Sequence, residues 1–264
     1  MDANASMRDI TVRARDGLKL YGRHYSAPHS PRRPLLCLPG LTRNHRDFHD
    51  LAVQLSAPGP QQRSVYTFDY RGRGSSEWDT DWKNYAVPIE MLDVIDFMIT
   101  QQLHDTAILG TSRGGLITML LAVAQPTLVG AVVLNDIGPI VETDGLTRIA
   151  TYVGRIPLPR SWSEASRIVK NANKAQFPDL TDEMWTEIAH QWFNEKDGRP
   201  EHGYDPELKN AMSVLDGPMP ALWPQFAALS RVPLLVLRGQ KSDILSAKTV
   251  EEMSRRHPNF SACL

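Results

Sequence analysis

Hydrophobic positions along the chain switch between two periods. Ile10-Thr-Val-Arg-Ala-Arg15 alternates apolar and polar side chains, and Leu18-Lys-Leu-Tyr-Gly-Arg-His-Tyr25 alternates again after Asp16-Gly17. Period-two alternation on both sides of an Asp-Gly pair predicts an antiparallel hairpin. Solid apolar runs follow at Pro34–Leu38, Thr106–Leu109, Leu128–Leu134 and Pro233–Arg238, and Arg63-Ser-Val-Tyr-Thr-Phe68 reads as a further strand. Short unbroken runs of this kind predict strands covered on both faces of a parallel sheet. Helical spacing separates them, over 47–56, 85–103, 116–124 and 246–256. Phe260–Leu264 begins one more strand. Strands alternating with helices build right-handed βαβ units. The prediction is an α/β fold, a mostly parallel twisted sheet with helices on both faces.

From 140 to 222 the pattern changes. Helices are expected at Leu146–Val153, Ser161–Gln176 and Asp182–Phe193, with no apolar strand between them, and Asp179-Leu-Thr181-Asp-Glu183 supplies a helix-start signal. Trp162, Trp185 and Trp192 fall here, and Trp223 just beyond. Residues 140–222 therefore read as a helical cap inserted into a core made of 1–139 and 223–264. The insertion follows a strand end that faces the edge where such sheets bind ligands.

Composition adds mainly exclusions. Of 264 residues, 42% are hydrophobic and 22% charged, as expected for a sizeable core. A net charge of −1 implies neither a nucleic acid nor an anionic membrane as partner. Gln125-Pro126 breaks the longest apolar zone, so no membrane span is expected. Met1–Met7 has no apolar leader, and the reading is a cytoplasmic protein. Cys37 and Cys263 lie in apolar runs and are expected as buried thiols. Metal-ligand spacing is absent.

The candidate chemistry sits at strand ends. Gly110-Thr111-Ser112-Arg113-Gly114 lies between an apolar run and a helical one. That context turns Gly-x-Ser-x-Gly into a sharp elbow that lifts a serine hydroxyl above the sheet. Serine needs an oxyanion hole and a base. The hole is expected from the backbone N–H groups of Arg113 and of Leu41, in the loop after the first parallel strand; the Arg113 side chain is expected on the helix surface. The orienting acid is placed at Asp243. Asp136 is the alternative, although Gly138 and Pro139 beside it suggest a role in the turn that enters the cap. Asp69 and Arg71 read as a brace between their loop and its neighbours.

Together these segments resemble the α/β-hydrolase fold superfamily. The resemblance rests on Leu38-Pro-Gly-Leu41, on Asp69-Tyr-Arg-Gly-Arg-Gly-Ser-Ser76 for the pattern Asp-x-Arg-Gly-x-Gly-x-Ser, on Gly110–Gly115 and on Arg238-Gly-Gln-Lys-Ser-Asp243. It implies a Ser-Asp-His triad, a helical cap, no cofactor, and hydrolysis of an ester, lactone or thioester. Ser112 argues against the haloalkane dehalogenases and epoxide hydrolases, which carry Asp there. Pro39 replaces the histidine many members have, without removing the backbone donor. The expectation is a serine esterase acting on a small or medium carboxylic ester or lactone, and the tryptophans of the cap favour a partly apolar substrate. A C–C bond hydrolase of the meta-cleavage type and a non-catalytic ligand-binding relative are the alternatives.

The base is the departure. His257, after Asp243, precedes the last strand instead of following it. Helix 246–256 should carry it roughly 16 Å from the active edge. His24, His29 and His104 read as surface residues, His45 and His49 as helix-surface positions, and His190 and His202 as cap residues. The chain is therefore expected to be truncated ahead of its catalytic histidine.

Overall fold

The computed structural model describes residues 7–175, 177–213 and 220–264. Gln176, the expected end of one cap helix, and the first six residues of the N-terminal stretch lie outside them. The hairpin forms as β1 (Met7–Arg13) and β2 (Lys19–Tyr25), with Gly17 at φ +92° in the turn. Then come β3 (Leu35–Leu38), α1 (His49–Ser56), β4 (Val65–Asp69), α2 (Val87–Thr100), β5 (Thr106–Thr111), α3 (Arg113–Ala124) and β6 (Val129–Asn135). Between β6 and the next core strand lie α4 (Thr143–Tyr152), α5 (Trp162–Asn173), α6 (Asp182–Trp192), β7 (Asn194–Lys196), β8 (Arg199–Glu201), α7 (Leu208–Ser213) and α8 (Trp223–Ala227). The chain returns through β9 (Leu234–Leu237), α9 (Ala247–Arg256) and β10 (Phe260–Cys263).

Eight strands make one sheet in the order β1-β2-β4-β3-β5-β6-β9-β10. The β1–β2 and β2–β4 pairs are antiparallel and the rest parallel. β3 is buried at all four positions, as a strand with helices on both faces must be. β10 is an edge strand and its outer residues face solvent. Cys263 is consequently exposed, against the expectation of a buried thiol, while Cys37 is buried. Among the described residues no helix is long and apolar enough to cross a membrane.

The block between β6 and α8 holds two features outside the expectation, the β7–β8 hairpin and the short helix α7. β7 and β8 form a three-pair antiparallel hairpin across Asp197-Gly198, both at positive φ. The Asp-Gly signal is in the sequence, but the flanking residues are polar and too few for alternation to show. α5 and α6 pack around Trp185 with Ala165, Val169, Ala189 and Phe193 in a small core of their own. Ser161 and Thr181 cap these two helices by accepting the N–H of Glu164 and Met184.

Loops at one end of the sheet are tied together by buried polar contacts. Arg71 gives Nε and Nη2 to Asp93 on α2 at 2.7 and 2.6 Å, and Nη1 to Asp79 and Asp16. Asp69 accepts the His45 N–H and Nδ1 at 2.6 and 2.8 Å and the Ser75 N–H at 2.8 Å. Asp69 and Arg71 thus brace their loop separately, through different partners. The inserted block joins the same loops through backbone, Gly74 N–H to the Gly203 carbonyl and Asp205 N–H to the Gly72 carbonyl, both 2.8 Å, and through side chains, Asn44 and Arg46 donating to the Gln191 carbonyl and Asn194 to the Gly74 carbonyl.

α3 and β3 approach each other closely. A Cβ on Gly114 would fall within the van der Waals radius of the Leu38 carbonyl, which is backbone and cannot swing away. Gly114→Ala is expected to cost about 3 kcal/mol, the upper range for overpacking. Gly239→Ala, with open space at its Cβ, should stay within about 0.5 kcal/mol of the parent. Urea unfolding of the two variants measures the contrast.

Candidate active site

Ser112 sits between β5 and α3 at φ +49° and ψ −112°. A non-glycine residue there is strained, and strain of this kind persists only where the surroundings fix the backbone. Three contacts do so. The Ser112 N–H donates to the Asn135 carbonyl at the end of β6, at 2.9 Å. Its own carbonyl accepts the N–H of Gly115 at 2.9 Å and of Leu116 at 3.3 Å, starting the helix. A Cβ on Gly110 would lie 2.7 Å from Gly114 backbone, so only glycine lets strand and helix close on each other.

A cavity of about 540 Å³ opens on Ser112. Leu41 and Arg113 line it beside the serine. Leu116 and Ile137 contribute from the core, Trp82 and Tyr85 from the segment before α2, Val87 from the start of α2, and Val141, Leu146, Ile149 and Ala211 from the inserted block. Apart from Lys83, Arg113 and Ser112 itself the walls are dominated by apolar side chains, a surface suited to an aliphatic group. Leu41 and Arg113 are thus brought together with Ser112. Arg113 opens α3, where first-turn N–H groups lack intrahelical acceptors.

The Arg113 side chain does not lie on the helix surface. It turns inward, giving Nε to Glu90 at 2.5 Å and Nη2 to the Tyr85 carbonyl at 2.7 Å. Glu90 is fully buried on α2 and also contacts Arg73, whose Nη1 lies 2.7 Å from Oε1. Neither Glu90 nor Arg73 had stood out in the sequence.

Asp243 and Asp136 do not line this cavity. They share a neighbouring one of about 360 Å³ with Arg148 and Lys241. Asp243 is held by Arg148 on α4, whose Nε and Nη2 reach its two oxygens at 2.5 and 2.8 Å. The guanidinium holds its carboxyl below the usual carboxylate range. Asp136 stands at φ +54°, and its backbone N–H donates to the Leu237 carbonyl at 2.8 Å. Its Oδ1 is buried without a hydrogen-bond partner among the described residues, so the side chain does not pin the turn into the inserted block.

None of the eight histidines lines the Ser112 cavity. His257 is buried at the end of α9. Its Nε2 lies 2.9 Å from the Leu229 carbonyl, and its Nδ1 accepts the Asn259 N–H at 3.2 Å. Both ring nitrogens are thus occupied, with the proton on Nε2. His45, expected on a helix surface, is buried against Asp69. His49 is exposed and bonds the Tyr25 hydroxyl at 2.8 Å, and His24 stacks on Tyr66 with ring centroids 4.2 Å apart. His190 stacks on Trp162, and burial pushes half-buried His202 below the usual imidazole range. No group of three or more His, Cys, Asp or Glu that could hold a metal ion occurs among the described residues.

Comparison with known proteins agrees with this architecture. Residues 35–261 match the alpha/beta hydrolase family. The 3-hydroxybutyrate-oligomer hydrolase of Cupriavidus necator is 34% identical over 89% of this chain and 81% of its own length. An sn-1-specific diacylglycerol lipase of Danio rerio is 27% identical over 85% and 68%. Among solved structures, an alpha/beta hydrolase from Novosphingobium aromaticivorans superimposes with a TM-score of 0.88 at 38% identity, covering 98% of this chain and 90% of its own. Nothing in these matches supports the expectation that the chain stops short of its base. With the elbow, the sheet order and the match over most of its length in agreement, the chain belongs to the alpha/beta hydrolase family.

Proposed function

We propose that the protein is a serine hydrolase that cleaves a small, partly apolar carboxylic ester through an acyl-enzyme. The observation that carries the reading is Ser112, held at φ +49° on the wall of an apolar cavity with Leu41 and Arg113 beside it. Ser112 Oγ attacks the ester carbonyl carbon and loses its proton to a base. The Leu41 and Arg113 N–H groups hold the oxyanion of the tetrahedral adduct. The adduct collapses, the alcohol leaves with a proton returned by the base, and water then releases the acid and frees Ser112. Residues 140–222 act as the cap, contributing one apolar wall that keeps bulk water from the acyl-enzyme. Of the relatives named above, one is a hydrolase of 3-hydroxybutyrate oligomers and the other a diacylglycerol lipase. Ester cleavage is the chemistry these two names share.

The base is an imidazole that none of the chain's histidines supplies where it stands. Asp243 is proposed as the carboxylate that orients it, and Arg148 now occupies the face of Asp243 that an imidazole would use. The removal of one triad member leaves on the order of 10³–10⁴-fold acceleration from hole and binding. A slow reaction at Ser112 is thus expected from this chain alone.

Two measurements test the reading. Incubation with a fluorophosphonate followed by intact mass should show one adduct on the parent and none on Ser112→Ala. Absence of the adduct from a folded parent, with or without imidazole, overturns the proposal. Free imidazole in the buffer should accelerate labelling, and Arg148→Met, by releasing Asp243, should increase that acceleration severalfold. An unchanged imidazole response in Arg148→Met removes Asp243 from the acid role.

A further inference from the structure

The two motifs that frame the site each leave positions open to any residue. In Asp-x-Arg-Gly-x-Gly-x-Ser one of them is Arg73, and in Gly-x-Ser-x-Gly one is Arg113. The fold brings these two arginines to a single carboxylate. Arg113 Nε donates to Glu90 Oε2 at 2.5 Å, and Arg73 Nη1 lies 2.7 Å from Oε1. Glu90 and Arg73 are fully buried, and Arg113 nearly so. Two guanidinium groups around one carboxylate leave a net positive charge inside the protein, in contact with the aromatic faces of Tyr70 and Tyr85. Removing charge from water costs several kcal/mol per ion, and hydrophobic side chains of similar volume would fill the space at lower cost. Stability therefore gives no reason for this cluster.

Position does give one. Arg73 Nε donates to the Leu41 carbonyl at 2.9 Å, and its Nη1 donates to the Arg71 carbonyl at 2.6 Å. Arg113 Nη2 donates to the Tyr85 carbonyl at 2.7 Å. The guanidinium of Arg73 thus fixes the residue proposed to give one oxyanion donor, and Arg113 itself gives the other. Glu90 is the only carboxylate among the described residues in ion contact with both. It links the loop after β3 to the first turn of α3, across the gap where the oxyanion forms.

We infer that Glu90 is a positioning residue that, through Arg73 and Arg113, sets the distance between the two halves of the oxyanion hole. The inference rests on the serine-hydrolase reading of the site. Its function is geometric: a donor displaced by about 1 Å costs on the order of 100-fold in rate, while ground-state binding in the apolar cavity depends on other walls.

The test measures the rate of fluorophosphonate labelling of Ser112 against probe concentration, with imidazole present, in the parent, Glu90→Gln, Arg113→Met and the double variant. Urea unfolding runs alongside. Glu90→Gln should lower the maximal labelling rate about 10- to 100-fold and leave the half-saturating probe concentration within twofold. The double variant should be no slower than the slower single variant, because either change breaks the same link. A role in stability alone would move the urea midpoint and leave the maximal rate within twofold of the parent, which overturns the inference. If Glu90→Gln does not fold, Arg113→Met gives the decision by the same criterion. A parent that does not label overturns the serine reading and this inference with it, whereas a labelled parent with unaffected variants overturns the inference alone.

Discussion

The close approach of α3 to β3 is the constraint on which the rest of the site depends. Gly110 and Gly114 allow the strand–turn–helix unit to fold so tightly that backbone meets backbone. That closeness forces Ser112 to positive φ and aims the start of α3 at the same point. Any side chain at Gly114 would push the helix off the Leu38 carbonyl and separate Ser112 from the loop that begins two residues later at Gly40. The placement of Ser112, the helix N-terminus and the neighbouring loop are therefore one geometric problem with one solution, set by two missing methyl groups.

Around this centre, charge does what glycine cannot. The loops after β3 and β4 bury Tyr70 and part of Leu41, and polar side chains fix the rest: Asp69 on His45, Arg71 on three carboxylates, and Arg73 on Glu90. Buried networks of this kind hold one arrangement because each alternative strands a charge. The cost falls on stability and the benefit on precise placement of the loops.

The sheet, the elbow and the strand ends were legible in the sequence because each is a local signal. Apolar runs mark the strands, and glycine spacing marks the turn. The Glu90 cluster was not legible. Glu90 sits among helix residues that read as an ordinary amphipathic face, and its partners lie 17 and 23 positions away along the chain. His45 failed for a related reason: one turn of helix exposes or buries a side chain depending on a neighbour, Asp69, that sequence spacing does not reveal. The β7–β8 hairpin is too short and too polar for periodicity to register. What sequence reading misses here is pairing at long range.

The inserted block meets the core through main-chain groups, from Gly203 and Asp205 to Gly74 and Gly72, and through side chains, with Asn44 and Arg46 donating to the Gln191 carbonyl and Asn194 to the Gly74 carbonyl. None of these residues lines the cavity at Ser112. Val141, Leu146, Ile149 and Ala211 can therefore be exchanged during evolution, changing the shape of the cavity, while the attachment that holds the block over the serine stays as it is. Selectivity can drift in such a protein without the catalytic elbow having to be rebuilt.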